Sequence, residues 1–147
     1  MKIKSVYFVI AIFLLGLSSC SFEKGPLTGE WSLQITNYKE SCGTPPTADP
    51  SFMLHQHGRK IKATIDIAGH DNSKHTAEFH GTLSSLKFPA IAMLRGKIDL
   101  GDFITEEVMQ ITIVDEKNFT GSARWTTSSK DKKIICVGSD DVHGTKK

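Results

Sequence analysis

The sequence predicts an all-β protein, an eight-stranded antiparallel up-and-down β-barrel. Three observations lead to this prediction. From Gly29 onward, apolar and polar residues alternate with a period of two, turn signals separate the alternating stretches, and no stretch has a convincing helical period. Strands that connect neighbour to neighbour leave two open edges, and closure into a barrel removes them.

The first three strands show the clearest alternation. The first covers about 30–38, with Trp31, Leu33 and Ile35 on one face. A loop at 39–50 follows, because its three prolines cannot take part in a ladder. The second and third strands, about 51–57 and 60–67, meet at the tight turn Gly58-Arg59 and form a hairpin.

Five further strands follow the same pattern, with loops at 68–75, 84–89, 101–106, 115–118 and 127–131. Their expected ranges are about 76–83, 90–100, 107–114, 119–126 and 132–138. The residues after Ser139 are polar, and we expect a frayed tail. The predicted organisation is a signal peptide at 1–19, a tether at 20–26, the barrel at 27–139 and a polar tail at 140–147.

The N-terminus has the pattern of an export signal. Lys2 and Lys4 precede the apolar run from Val6 to Leu17, twelve residues without a charge, which is too short to span a bilayer as a helix. The ending Leu17-Ser18-Ser19-Cys20 resembles the lipobox of bacterial lipoproteins. That resemblance implies cleavage before Cys20, lipid on its thiol, palmitate among the acyl groups, and a bilayer as partner. Ser21 resembles residues that permit sorting to an outer membrane, so we expect an envelope lipoprotein.

Charge and cysteine content limit the partners. Removal of 1–19 would leave 128 residues with 16 basic and 16 acidic side chains, and no basic run indicates nucleic acid binding. With Cys20 lipidated, Cys42 and Cys136 remain as an even pair in an oxidising compartment, which predicts a disulfide. In a closed barrel these cysteines lie at the same rim, so the disulfide would clamp the seam between the first and last strands.

The start of the first strand resembles the calycin group, the lipocalins and avidins. The residues are Gly29-x-Trp31 within Leu27-Thr28-Gly29-Glu30-Trp31, and, more loosely, Phe119-Thr120-Gly121 with Trp125 before Thr126-Thr127-Ser128-Ser129. The resemblance implies a small ligand-binding barrel in which Trp31 packs across the closed end. Avidins line their site with several Trp and Tyr residues, and Trp31, Trp125 and Tyr38 are too few, so we do not expect biotin binding.

The interior permits two interpretations. Small inward residues can leave a cavity, or they can make room for large aromatic side chains, and we favour the second. If a ligand binds, the expected contacts are Leu54, Gln56, Ile65, Phe79 and Trp125. Gln56 is the inward polar residue that could orient a ligand, although such a group more often satisfies backbone or water.

Metal binding and catalysis have weak support. His55 and His57 share a strand face, and His70, Asp71 and His75 share a loop, a set suited to zinc or copper. No third ligand at defined spacing completes either group, so we interpret these histidines as solvated and expect no metal and no cofactor. The sequence shows no nucleophile motif, no paired carboxylates on one facing strand and no Gly-rich phosphate loop, so we do not expect an enzyme.

Two functions follow from this pattern. The first is a membrane-anchored lipoprotein whose barrel binds a small, mostly apolar molecule at its mouth. The second is a packed barrel that acts as an interaction module or inhibitor and contacts an envelope protein through the loops 39–50 and 68–75.

Overall fold

The eight strands form one closed antiparallel barrel in the computed structural model, which describes residues 24–43, 50–68 and 74–147. Each strand pairs with its neighbours in the chain, and β8 closes the sheet against β1. The predicted fold class is confirmed. The strands are β1 (Gly29–Glu40), β2 (Ser51–His57), β3 (Lys60–Ala68), β4 (Lys74–Leu83), β5 (Ala90–Asp99), β6 (Phe103–Ile113), β7 (Asn118–Ser129) and β8 (Ile134–Lys146).

The seam between the first and last strands lies where the cysteines predicted it. Cys42 and Cys136 form a disulfide, with Cα atoms 5.6 Å apart. Next to it, the Ser41 amide donates to the Val137 carbonyl at 3.0 Å, and the Val137 amide donates to Ser41 Oγ at 3.0 Å. The disulfide therefore reinforces a junction that the backbone ladder also holds.

The C-terminal residues correct one prediction. The expected polar tail at 140–147 is not frayed, because β8 runs to Lys146 and pairs with both β1 and β7. Its inward row continues through Asp140, Val142 and Gly144, all of which are buried. The barrel thus extends past residue 139, and the polar residues of this stretch lie mainly on the outer face of a strand.

One end of the barrel is sealed by the chain that enters it. Trp31 is fully buried, packs against the rings of Phe52 and Phe119, and donates its indole N–H to the Leu27 carbonyl at 3.0 Å. Leu27 is also fully buried, and its amide donates to Gln56 Oε1 at 3.1 Å. Trp31 therefore packs across the closed end, as the calycin resemblance implies.

The middle of the barrel is filled by side chains. At Gly96 and Gly144, a Cβ atom would overlap the rings of Phe79 and Phe119 respectively, so the missing side chains make room for these aromatics. Beside Phe79 and Phe52 remains an apolar cavity of about 10 Å³, which is too small for more than about one water molecule. Of the two interpretations of the interior, the filled one describes this part of the barrel.

Candidate functional site

The open end of the barrel is the candidate site. The connections β1–β2, β3–β4, β5–β6 and β7–β8 all lie at this end, which we call the mouth, opposite the end sealed by Trp31. Parts of two mouth loops, 44–49 and 69–73, lie outside the described residues. The strand ends themselves are described and determine which side chains face the interior just below the mouth.

An irregularity in β1 brings an aromatic side chain into the mouth. The register with β8 shifts between Thr36 and Lys39, and Asn37 has a φ of 51°, in the left-handed region that Asn tolerates better than most residues. Because of this shift Asn37 is exposed, where its side-chain amide donates to Asp141 Oδ2 at 2.6 Å. Tyr38 instead faces inward, and its ring centroid lies 5.4 Å from that of Trp125.

Two carboxylates share the interior with this aromatic pair. Glu107 on β6 pairs with Trp125 on β7, which in turn pairs with Gly138 on β8. Asp140 lies two residues further along β8, on the same inward row. Its side chain is buried, with 8% of its surface exposed, and its Oδ1 atom has no hydrogen-bond partner among the described residues.

Burial changes the acidity of both carboxyl groups. Removal from water, with the Asp140 charge nearby, raises the pKa of Glu107 to about 7. Removal from water, with a smaller contribution from Asp141, raises the pKa of Asp140 to about 6. These causes all disfavour the ionised form. Burial and the neighbouring Glu40 also raise the pKa of the Tyr38 hydroxyl.

Hydroxyl groups and exposed apolar side chains complete the mouth. Thr105 and Thr127 are joined by a hydrogen bond of 2.9 Å between their hydroxyls, on the same inward rows as Glu107 and Trp125. Around the rim, several large apolar side chains are exposed to solvent. These rim residues are Leu100, Phe103, Ile134, Ile135 and Val137.

The five predicted ligand contacts are distributed along the whole barrel. Trp125 is at the mouth, and Ile65 and Phe79 line the small apolar cavity in the middle. Leu54 and Gln56 lie toward the sealed end, away from the mouth. There Gln56 accepts from the Leu27 amide and donates from Nε2 to the Gly58 carbonyl at 2.9 Å. Its side chain therefore satisfies backbone groups, which is the commoner role of an inward polar residue.

The histidines do not assemble in the described part of the chain. His55 and His57 are exposed on the outer face of β2, whereas His75 lies on the inward row of β4. His70 and Asp71 lie outside the described residues, as does Cys20. Within 24–43, 50–68 and 74–147, no group of three or more His, Cys, Asp or Glu residues is arranged to hold a metal ion.

A second concave region lies on the outside of the barrel. This groove has a volume of about 570 Å³ and is open to solvent over most of its area. Polar residues of β1, β6, β7 and β8 dominate its lining, among them Gln110, Thr112, Thr120 and His143.

The two interior carboxylates are the residues that sequence reasoning missed. Glu107 alternates in the sequence with Met109, Ile111 and Ile113, so it lies on the same strand face as these apolar residues, and the acid on a buried row is visible from the sequence. Asp140 gives no such signal, because the polar composition of its segment predicts a frayed tail. Glu107 and Asp140 lie on β6 and β8, with β7 between them, so no single strand of the sequence shows them as a pair.

No protein-family model matches this chain, and no curated protein matches it either. Among solved structures, EF1p2_mFAP2b bound to DFHBI aligns with a TM-score of 0.53 at 13% identity, over 83% of this chain and 94% of that one. A redesigned β-barrel, mFAP1, also bound to DFHBI, aligns with a TM-score of 0.41 at 16% identity, over 78% and 94% of the two chains. Only the first alignment has a TM-score above 0.5, and at 13% identity it indicates a shared fold and nothing further.

No helix in the described part of the chain is long and apolar enough to cross a bilayer.

Proposed function

We propose that this protein is an envelope lipoprotein, anchored through lipid on Cys20, whose barrel binds a small, mostly apolar molecule at its mouth. One observation carries the binding proposal: Trp125 and Tyr38 place their rings side by side, partly exposed, on the interior surface at the open end. Aromatic rings left accessible inside a concave surface are typical of small-molecule sites.

The filled middle of the barrel limits where such a ligand fits. Below the aromatic pair, Phe79 and Leu94 are buried and leave only the cavity of about 10 Å³. The ligand therefore occupies the mouth, with Trp125 and Tyr38 as its walls, and does not enter the centre. Of the residues predicted from the sequence, Trp125 is the one that keeps a direct role in this proposal.

The fold comparison gives limited support. EF1p2_mFAP2b, which shares this fold with a TM-score of 0.53, is described as bound to DFHBI, so a barrel of this type can hold a small molecule. At 13% identity that protein transfers no residues and no ligand to this chain.

Membrane anchoring follows from the lipobox at Leu17–Cys20. The chain enters the barrel at the sealed end, where Gly25 donates its amide to the Gln56 carbonyl at 3.2 Å. A short tether from Cys20 would thus leave the sealed end next to the bilayer, with the mouth pointing away from it. Such an orientation would leave the site accessible to molecules in the surrounding compartment.

Native mass spectrometry of the protein purified from its host tests ligand binding. We expect an additional non-covalent mass on the wild type that is lost in Trp125→Ala. The matched control Ile91→Ala removes an exposed apolar side chain on the outer face of β5 and should keep that mass. An additional mass retained by Trp125→Ala would place the ligand elsewhere and contradict the proposed site.

A Cys20→Ala variant tests the anchor. In a host with the lipoprotein machinery, we expect the wild type to fractionate with membranes and to carry acyl chains on its N-terminal cysteine. The variant should stay unlipidated, with its signal uncleaved. Normal membrane association and processing of Cys20→Ala would refute the lipoprotein assignment.

The rim supports a second candidate, an interaction module or inhibitor. Phe103 and Ile134 expose 43% and 63% of their surface at the open end, and the cavity that the described residues form in the middle of the barrel is only about 10 Å³. Contiguous exposed apolar residues often mark protein contacts. Under this alternative, the same mass spectra would show a bound envelope protein instead of a small molecule, and Phe103→Ser with Ile134→Ser would release it.

A further inference from the structure

The interior below the mouth contains two acids, Asp140 and Glu107, in addition to the aromatic pair of the proposed ligand site. Asp140 is more than nine-tenths buried, it lies on the inward row of β8, and its Oδ1 atom lacks a hydrogen-bond partner among the described residues. A buried polar atom without a partner is costly and is usually explained by a missing water, ion or ligand group. Such an atom is free to accept from whatever occupies the mouth.

A second carboxylate faces the same space. Glu107 lies on the inward row of β6 and pairs with Trp125, whose other neighbour, Gly138, is two residues from Asp140. Burial, with the Asp140 charge as a second cause, raises the pKa of Glu107. Two like charges in a poorly solvated interior repel each other, and both gain from a positive charge placed between them. The most favourable occupant for this position is therefore a cation.

Aromatic rings beside the acids indicate an organic cation. The indole of Trp125 lies on β7, between the strands that carry Glu107 and Asp140, and the Tyr38 ring is 5.4 Å from it. Indole and phenol faces attract cations, and the attraction increases when the cation is desolvated. Carboxylates and aromatic rings that alternate along neighbouring strands suit a molecule with an apolar body and an ammonium head.

We propose that the mouth binds a small organic cation, an amine whose ammonium group lies between Glu107 and Asp140 and whose apolar body packs on Trp125 and Tyr38. This inference rests on the proposed ligand-binding function and adds the charge class of the ligand. The ammonium group supplies the donor that Asp140 Oδ1 lacks.

Among the described residues, few other charged groups lie near this pair. Tyr38 and Glu40 of β1 border the space. Asp141 of β8 lies on the outer face and acts electrostatically on Asp140. His75 of β4 lies on the inward row at the mouth. The described inward rows of β5 and β7 carry no charged side chain in this region. The local balance is acidic, in agreement with a cationic ligand.

Two probe molecules of similar shape, one cationic and one neutral, distinguish recognition of the ligand's charge from binding of its apolar part. Titration of the purified protein with 2-phenylethylamine and with 2-phenylethanol, followed by Trp125 fluorescence and calorimetry, compares an ammonium head with a neutral hydroxyl. We expect the amine to bind at least about tenfold more tightly than the alcohol at pH 8, which corresponds to one charge-assisted contact. This preference should decrease about tenfold or more by pH 5, as Asp140 and Glu107 take up protons.

Variants assign the preference to the two acids. Asp140→Asn and Glu107→Gln should each reduce amine affinity about tenfold and leave alcohol affinity within about twofold. The matched control Glu106→Gln neutralises the exposed acid adjacent to Glu107 on the same strand and should keep the amine preference. Circular dichroism verifies that each variant is folded.

The outcomes distinguish this inference from the function on which it rests. Equal binding of amine and alcohol, or a preference that survives Asp140→Asn and Glu107→Gln, would overturn the cation site and leave the binding function standing. Absence of binding by both probes, together with no additional mass on the protein from its host, would overturn both.

Discussion

At the scale of single residues, Asp140 and Glu107 are the most unusual features of the barrel. Each is a carboxyl group on a row that is otherwise apolar or aromatic, and the pKa of each is raised, to about 6 and about 7. An acid with a raised pKa in the folded state binds protons that the unfolded chain has already released. These two residues therefore reduce stability when the pH rises, and this cost is consistent with a role in binding.

The first prediction concerns the pH dependence of stability. Because the folded protein holds its protons more tightly than the unfolded chain, the free energy of unfolding should decrease as pH rises from about 4 to about 7 and level off above that. Between pH 5.5 and pH 8 we expect a loss of about 2 kcal/mol, measured by urea unfolding of the purified protein.

The double variant Asp140→Asn with Glu107→Gln should lose most of this dependence and be more stable than the wild type at pH 8. Glu106→Gln, which changes an exposed acid on the strand of Glu107, should retain it. A wild type whose stability is flat over this interval would show that neither acid is desolvated in solution.

At the scale of strands, β8 and β1 determine the shape of the mouth. β8 pairs on both sides along most of its length, and it supplies Gly138, which packs against the Trp125 ring, and the inward Asp140. β1 carries the register shift that turns Tyr38 inward. These two strands also meet at the seam, so the site and the closure of the barrel depend on the same ladder.

A truncation tests the role of the C-terminal half of β8. Removal of residues 140–147 would expose the edges of β1 and β7 and leave Phe119 without part of its packing. We expect loss of cooperative unfolding and of native circular dichroism. Removal of Lys147 alone, which lies beyond the strand, should have little effect, and a folded protein lacking 140–147 would contradict the extended strand.

Removal of the disulfide tests the seam. Cys42 and Cys136 are 94 residues apart in sequence, and in the chain-entropy model a crosslink over so long a loop stabilises the folded state substantially. A Cys42→Ser, Cys136→Ser variant should lose about 2–5 kcal/mol in urea unfolding while remaining a barrel. Reductant should lower the stability of the wild type to that of the variant and leave the variant unchanged. A variant as stable as the oxidised wild type would show that the backbone ladder alone holds the seam.

At the scale of the whole molecule, the barrel has one sealed end and one open end. Trp31, Leu27 and Gln56 close the first with packing and hydrogen bonds, while Trp125 and Tyr38 remain partly exposed at the second. The described N-terminal residues enter at the sealed end. This polarity gives a tethered barrel a defined outward face.

Fluorescence quenching tests this polarity, because the chain has only two tryptophans. In Trp31→Phe the remaining Trp125 should be quenched efficiently by acrylamide, whereas in Trp125→Phe the remaining Trp31, which is fully buried, should be nearly inaccessible. Similar quenching of both residues would mean that the sealed end opens in solution or that the mouth is closed.

The sequence determined the strand pattern, the closure and the seam. Period-two alternation is a local property, so it located all eight strands, and antiparallel closure then placed Cys42 beside Cys136. The Gly29-x-Trp31 pattern likewise identified the residue that packs across the closed end. These predictions needed only strand parity and the direction of each strand.

The tertiary structure alone decided what lies inside the mouth. The register shift near Asn37 is a single-residue irregularity that alternation cannot predict, and it determines that Tyr38 faces Trp125. Asp140 lies on an inward row only because β8 continues, and its proximity to Glu107 depends on the registers of β6, β7 and β8 together. The local alternation of apolar and polar residues shows which residues of a strand share a face. Which side chains meet across the barrel depends on the closure of the whole sheet.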